Sequence, residues 1–435
     1  MQYPVWQLPV NGGLLIALIS VIHVFVAQFA VGGGFFLVMA ERKGHAEGSN
    51  EILQWVKRHS RFFVLLTMVF GGVTGVGIWL IISLVSPAAT SQLVHLFLYG
   101  WATEWVFFLG EIAALLVYYY TFQRCISGRM NKKDHMTAGW LYALFAFLSL
   151  FMINGIIGFM LTPGEWLRTG NFWDGFFNPT FWPALVFRFA LCLLLAGLFA
   201  MITALRIPNP ATREAMVRWS AKWVCLPFVG LLLGAAWYFA ALPPSQQAMI
   251  LRRTEDIRPF ALAWPVVTPL LFLGGLAFFV KASGRARAVL AGVVLLLGLA
   301  QVGTFEWVRE TGRRPWVIHG YMYSNGIRAA DVERMQRDGA LSLTAWAGTR
   351  QVTDANRLDV GRFLWAQQCS SCHGMGNPML DMVPRAAKRG VAGLEAQLAG
   401  QGKLLPYMPP FCGTPAERNA LAVYIAHEVE RRLAR

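Results

Sequence analysis

Asn11-Gly-Gly-Leu-Leu-Ile-Ala-Leu-Ile-Ser20-Val-Ile-His23-Val-Phe-Val-Ala-Gln-Phe-Ala30-Val-Gly-Gly-Gly-Phe-Phe-Leu-Val-Met-Ala40 contains no Lys, Arg, Asp or Glu. An apolar stretch of about 20 residues can cross a bilayer as a helix. Seven further stretches of this kind lie near 61–86, 91–122, 138–162, 181–206, 216–242, 259–281 and 286–308. All are expected to be helices, because a segment in lipid must satisfy its backbone internally. Composition agrees: 56% of the 435 residues are apolar, only 14% are charged, and the mean hydropathy is +0.47. That excludes a soluble enzyme and predicts an all-α, polytopic membrane bundle of about eight helices.

The net charge of +15 could suit a nucleic-acid binder. However, much of the Lys and Arg lies in short loops beside the spans, which is the positive-inside pattern, so no nucleic-acid partner is expected. The loop after the first span carries Arg42, Lys43, Lys57, Arg58 and Arg61, and the next loop carries none. The third carries Arg124, Arg129, Lys132 and Lys133, and the fourth only Arg168. The fifth has Arg206, Arg213, Arg218 and Lys222, and the seventh Lys281, Arg285 and Arg287. Arg252, Arg253 and Arg258 in the sixth interrupt the alternation. The basic odd-numbered loops are expected in the cytoplasm of a bacterial cell, with the N-terminus outside. Met1 to Val10 has no basic leader, so the first span is expected to act as the uncleaved export signal. Eight crossings would return the chain to the periplasmic side.

There, after the polar shift at about Glu310, stands Cys369-Ser-Ser-Cys372-His373. Two Cys two residues apart and an adjacent His form the attachment pattern of a c-type haem. Each thiol forms a thioether to one haem vinyl group, and the His reaches the iron. A zinc site would need two more ligands, yet only Cys412 is near, and a thioredoxin-like dithiol would need an α/β pattern. The sequence therefore divides into a membrane domain (1–310), a periplasmic linker (311–357) with a short helix at Ala329 to Asp338, and a cytochrome c domain (358–435). In that domain, Gly361 to Trp365 leads into the motif and Glu417 to Arg432 closes it. Met408, in the proline-bounded loop Leu405–Phe411, is the candidate distal iron ligand. Met375, Met379 and Met382 lie too close to the attachment site to reach the other haem face, and His427 reads as exposed.

Titratable residues inside spans are expensive and point to function. His23 lies mid-span and is a candidate iron ligand. Glu104 and Glu111 are two helical turns apart on the third span, so they share a face, as haem-facing groups or proton carriers. Glu306, near the outer end of the eighth span, is a candidate of the same kind. Arg188, on the fifth, would pair with a haem propionate or reach for the interface. His59 and His135 read as interfacial, while His95 and His319 stay undecided. Cys125, Cys192 and Cys225 read as small core residues.

Taken together, several of these residues resemble subunit I of the cytochrome bd-type oxidases. The first helix from His23 through Gly32-Gly-Gly-Phe-Phe-Leu-Val-Met-Ala-Glu41 is similar to that family's first helix, whose His ligates a high-spin haem. Gly71-Gly-Val-Thr-Gly75 resembles its second helix. Glu104 and Glu111 correspond to its two acidic residues, one residue closer together. Asn154-Gly155 and Asn178-Pro179 resemble short motifs around its fourth and fifth helices. Gly312-Arg313-Arg-Pro-Trp316 resembles its Gly-Arg-Gln-Pro-Trp signature, which brings Arg313 and Trp316 onto the list of cofactor-binding candidates. The likeness covers roughly 10–320.

The departures are specific. Arg188 or Phe189, and Phe260, stand where the family ligates its low-spin haem. The quinol-binding loop shrinks to about Leu242–Arg258. Gly303 aligns with the carboxylate ligand of the eighth helix, with Glu306 one turn on as the candidate substitute. A haem c domain replaces the ninth helix. The resemblance implies two membrane haems of b and/or d type beside the covalent haem c. It also implies O2 as acceptor, a second membrane subunit or larger respiratory complex, and an oxidoreductase activity. The departures imply electron entry from a periplasmic cytochrome c rather than from quinol. Two alternatives stay open at this point: a reductase of NO or another small oxidant, and a non-catalytic electron-transfer subunit.

Overall fold

The computed structural model describes residues 3–6, 12–252, 257–280, 284–377 and 380–434. The missing basic leader of Met1–Val10 and the readings of Arg253, Lys281, Met379 and Arg435 involve residues outside that set. Among the described residues, eight helices are long and apolar enough to cross a membrane: Gly12–Ala46, Asn50–Val85, Leu98–Ile126, Lys132–Leu161, Phe181–Ala204, Pro210–Ala241, Arg258–Ala277 and Gly284–Thr311.

Three of them, the second, fourth and sixth, begin earlier than hydropathy alone predicts. Ser49 caps the second, accepting a hydrogen bond from the Ile52 amide at 3.3 Å. Its first part, Asn50–Val64, is amphipathic and turns Ile52, Trp55, Val56 and Phe63 inward. Asn209 caps the sixth by accepting from the Ala211 and Thr212 amides, with Pro210 in the first turn. Each cap side chain satisfies amide donors that the first turn leaves without partners. A hydropathy window finds the lipid-facing part of a helix, and the polar ends lie outside it. Conversely, the stretch near 91 is split: Pro87–Leu96 is a separate short helix before the third span.

The fifth span is the centre of the bundle, with 78% of its most apolar window buried. A helix apolar on every side suits that position. It is crossed closely by the first span: a Cβ on Gly32 would lie 1.9 Å from the Cys192 carbonyl oxygen, so only glycine fits there.

The C-terminal domain has its own core, including Val360, Leu364, Leu421, Ile425 and Val429. Its leading helix, Arg357–Gln368, packs on the closing helix, Pro415–Leu433. At their contact a Cβ on Gly361 would meet the Ala420 carbonyl oxygen at 2.3 Å. Ile327, Met335, Ala340 and Leu341 join this same core, so much of the stretch expected as a linker is folded onto the C-terminal domain. The helix expected at Ala329 to Asp338 is present as a 3₁₀ turn, Ala329–Asp331, running into Val332–Asp338. Buried Glu417 fastens the two parts, accepting from the Ala340, Leu341 and Thr414 amides at 2.9, 2.8 and 2.7 Å.

Candidate functional site

The leading helix of the C-terminal domain ends at the attachment motif. The Cys369 amide donates to the Trp365 carbonyl and the His373 amide to the Cys369 carbonyl, each at 2.9 Å, which winds both cysteines and the histidine onto one turn. His373 Nδ1 lies 3.0 Å from the Leu380 carbonyl. A carbonyl only accepts, so Nδ1 carries the proton and Nε2 holds the lone pair that an iron requires. Burial pushes the Cys369 thiol up to about 12. Among the described residues, no group of three His, Cys, Asp or Glu ligands closes around these two cysteines as a full zinc site would need.

The motif is seated against the membrane domain. Cys372 Sγ lies 3.8 Å from Ser324 Oγ, and the Ser324 amide donates to the Pro315 carbonyl at 2.8 Å. Met408, between Pro406 and Pro410, lines a cavity of about 460 Å³ whose other walls include Arg252, Arg314, Trp316 and Tyr323. Trp316 and Tyr323 sit on two short antiparallel strands, Trp316–Ile318 and Met322–Tyr323. Their rings stack at 4.1 Å with an 11° tilt. Both the attachment turn and the Met408 loop therefore meet the same segment, 314–324. That segment caps the bundle end formed by the loops after the fourth and sixth spans. The His319 amide donates to the Met160 carbonyl at 2.9 Å, and the Gln246 amide donates to His319 Nδ1 at 2.8 Å. His319, undecided in the sequence, is thus a packed part of this cap, and burial lowers its pKa. Arg313 is buried, bonded to the Val317 carbonyl and paired with Glu310, with burial pulling its pKa down.

Inside the bundle, His23 Nδ1 lies 3.1 Å from Thr74 Oγ1. The Thr74 hydroxyl already donates to the Phe70 carbonyl at 2.8 Å, so Oγ1 accepts from His23 Nδ1–H. The lone pair falls on Nε2, the arrangement a haem ligand needs. Thr74 follows a π-helical stretch, Leu65–Gly71, a feature frequent at functional sites. Gly75 keeps the ring's flank open: a Cβ there would lie 3.1 Å from His23 Cε1. Glu104 accepts from Ser149 on the fourth span at 3.4 Å, and Glu111 lies beside Tyr142 of the same span. His23 thus works against the second span, and the two carboxylates against the fourth.

Glu306 and Arg188 do not stand apart. Glu306 Oε1 lies 3.5 Å from Arg188, and its Oε2 lies 2.8 Å from Arg309. Arg309 continues to Glu310 at 3.6 Å, and Glu310 to Arg313. This ion chain, buried at Arg188 and Glu306 and open to solvent at Glu310, joins the fifth and eighth spans below the cap. A carboxylate held by two guanidinium groups is a poor fit to an iron ligand. An Arg held by a carboxylate needs neither a propionate nor the interface.

Two sequence readings need correction. His59 and His135 are 1% and 0% exposed, so they are not interfacial. The inner helical extensions bury them. His59 Nδ1 bonds Thr203 Oγ1 at 2.9 Å, and its Nε2 has no hydrogen-bond partner. His135 lies between Glu41 and the Tyr118 carbonyl. His427 and His95 are exposed. The roles of Ser324, Tyr323 and Thr74 were invisible to sequence reasoning, because only the fold brings them to their partners.

The fold and its motifs define a polytopic helical membrane bundle joined to a C-terminal cytochrome c domain with a haem c attachment motif. Comparison with known proteins gives the same division. Residues 356–425 match the family model described as cytochrome c oxidase, cbb3-type, subunit III. A solved structure, bd oxidase from Geobacillus thermodenitrificans, is similar over 72% of this chain and 88% of that one, with 18% identity and a TM-score of 0.58. No curated protein sequence matches the chain.

Proposed function

We propose that the protein is a bd-type terminal oxidoreductase of a bacterial inner membrane, reducing O2 to water with electrons delivered through haem c by a periplasmic cytochrome c. The observation that carries this reading is the seating of the haem-attachment turn and the Met408 loop on the Arg314–Tyr323 cap. An electron carrier docked there needs no quinol site to reach the membrane domain.

Cys369 and Cys372 would hold the haem covalently, with His373 Nε2 and Met408 as the residues that would bind its iron. When bound, haem c supplies a one-electron relay of raised potential, as Met/His ligation does. Arg314 and Arg252, on the cavity wall, offer positive charge for propionates. The stacked Trp316–Tyr323 pair bridges the Met408 loop and the bundle cap, with Arg313 holding the backbone behind it. His23, oriented by Thr74, would hold a membrane haem through Nε2, and that haem would supply the chemistry of O2 reduction. Reduction of O2 consumes as many protons as electrons. Glu104 and Glu111, linked to Ser149 and Tyr142, are assigned to hold and pass those protons. The pairing of Glu306 with Arg188 and Arg309 gives it to the scaffold, so no chemical step runs through it. A second membrane subunit, as in other bd-type enzymes, is expected to cover exposed apolar faces such as Val73, Val76 and Leu80 of the second span.

The test is O2 uptake by the purified complex with reduced cytochrome c or with a quinol as sole donor. Rapid uptake with cytochrome c and little with quinol is expected. Oxidation of quinol with indifference to cytochrome c would overturn the donor assignment. A CO-difference spectrum without a CO-binding haem would overturn the oxidase assignment itself.

A further inference from the structure

At the bundle end opposite the haem c domain, the first span ends beside the third and fourth. Here Glu41, His45, Cys125 and His135 converge, none of them used by the reading above. Glu41 Oε1 lies 3.3 Å from His45 Nε2 and 3.9 Å from Cys125 Sγ, and the sulfur lies 3.8 Å from the same His45 nitrogen. We propose that these three side chains bind a divalent cation of the zinc class, with water as fourth ligand.

The spacing carries the argument. Tetrahedral zinc binds sulfur at about 2.3 Å, imidazole nitrogen at about 2.0–2.1 Å and carboxylate oxygen at about 2.0–2.2 Å. Those bond lengths put nitrogen and oxygen about 3.3 Å apart, and sulfur about 3.5–3.6 Å from each of them. The observed triangle of 3.3, 3.8 and 3.9 Å needs only a few tenths of an ångström of contraction. As hydrogen bonds, the sulfur contacts are long and weak; as ligand-to-ligand edges they are ordinary. The donor set of thiolate, imidazole and carboxylate is the borderline-soft mixture that suits zinc better than calcium or magnesium.

The surroundings are built for it. Glu41 is fully buried, and its second oxygen, Oε2, has no hydrogen-bond partner. Tyr118, whose hydroxyl is also without a bond, lies beside that carboxylate and could turn to it. The orphan oxygen alone would therefore not demand a cation, whereas the three-way spacing does not depend on it. Buried His135 holds Glu41 from behind: Nδ1 lies 2.7 Å from Oε1 and Nε2 lies 2.9 Å from the Tyr118 carbonyl. An outer partner of this kind fixes a ligating carboxylate and is worth about 10–100-fold in affinity. The His45 side chain is 17% exposed, which gives the ion an entrance at the helix ends.

The experiment uses the full-length protein in detergent with its haem c attached, so that Cys369, Cys372 and His373 are already engaged and the zinc count reports the Glu41 site alone. The protein is stripped with a chelator, given Zn2+, desalted and assayed for zinc by mass spectrometry and by absorption at the zinc edge. One equivalent of zinc per chain, with a sulfur in its shell at about 2.3 Å, is expected. Cys125→Ser should remove the sulfur shell, His45→Ala the bound equivalent, and His135→Asn should weaken binding about 10–100-fold. Cys225→Ser, on the sixth span, should change nothing. Unaltered haem spectra in the variants show that the fold survives. A wild-type shell of oxygen and nitrogen only, or no zinc retained, overturns the proposal whatever the variants do. So does zinc that Cys125→Ser and Cys225→Ser affect equally.

Discussion

The C-terminal domain keeps its chemistry in five consecutive residues, whereas the membrane bundle scatters its chemistry over many helices. The difference follows from how a cofactor is held. A covalently attached haem needs two thiols and a ligand within one turn, so Cys369, Cys372 and His373 must be neighbours in the chain. A site held by coordination alone can draw its residues from distant segments, as His23 of the first span is oriented by Thr74 of the second and Glu104 of the third by Ser149 of the fourth. The first kind of site is readable as a motif. The second is readable only as a set of costly residues in apolar surroundings.

The sharpest way to break this contrast is Cys369→Ala with Cys372→Ala. Covalent haem c should vanish completely from denaturing gels and from the pyridine haemochrome, while membrane haem stays. Oxygen uptake from cytochrome c should fall by about 100-fold or more, on the order expected when a relay is removed rather than perturbed. Retained uptake would separate the two regions functionally and defeat the entry-port assignment.

Next in size is Glu306→Gln. It leaves Arg188 and Arg309 buried without their common carboxylate, a loss of about 3–5 kcal/mol. The thermal midpoint of the detergent-solubilised protein should drop, and replacing both Arg188 and Glu306 with Met should recover part of it. If instead stability holds and a membrane haem is lost, Glu306 is a ligand and the ion chain is secondary.

Glu417→Ala tests the C-terminal unit. The buried amides of Ala340 and Leu341 and the part-buried amide of Thr414 would lose their acceptor, at about 1–3 kcal/mol for each buried group left without a partner. Limited proteolysis should then cut within 327–357 while haem c stays attached. Protection equal to wild type would mean that this segment is held by other contacts.

Thr74→Val removes the acceptor of His23 Nδ1–H at about 1–3 kcal/mol. The midpoint potential of the CO-binding haem should shift, with that of haem c unchanged. An unchanged CO-binding haem would remove His23 from the ligand set.

The smallest effect belongs to His319. Burial lowers its folded pKa below the ordinary value of 6.5, so the folded cap favours the neutral ring. That contribution is present in full above about pH 6.5 and fades as pH falls through the lower folded value. The cap should loosen on acidification, read as faster hydrogen exchange around 316–323. His319→Asn should flatten this dependence, and an unaltered slope would place its origin elsewhere.

Much of the architecture was legible in the chain. Eight apolar stretches gave eight helices, and the motif gave the haem c domain. Helix ends were less legible: the polar turns at Asn50 and Pro210 carry no hydropathy signal, though Ser49 and Asn209 mark them as caps. His59 and His135 were misread for the same reason, since a polar residue near a span end looks interfacial until the amphipathic extension is known to fold inward. The segment 311–357 reads as a tether because its apolar residues, Ile327, Met335 and Leu341 among them, follow no sustained period that would announce a core.

By itself the sequence determined how many helices form and where haem c attaches, because lipid solvation and thioether chemistry act on contiguous residues. Only the tertiary structure decided what the buried charges do. Coulombic and coordination partners are chosen by distance in space: Glu306 pairs with Arg188 across the bundle, and Glu41 meets Cys125 from another helix. The same fold seats Cys372 and Met408 on the cap that carries Trp316. Packing sets those distances, and no spacing along the chain encodes them.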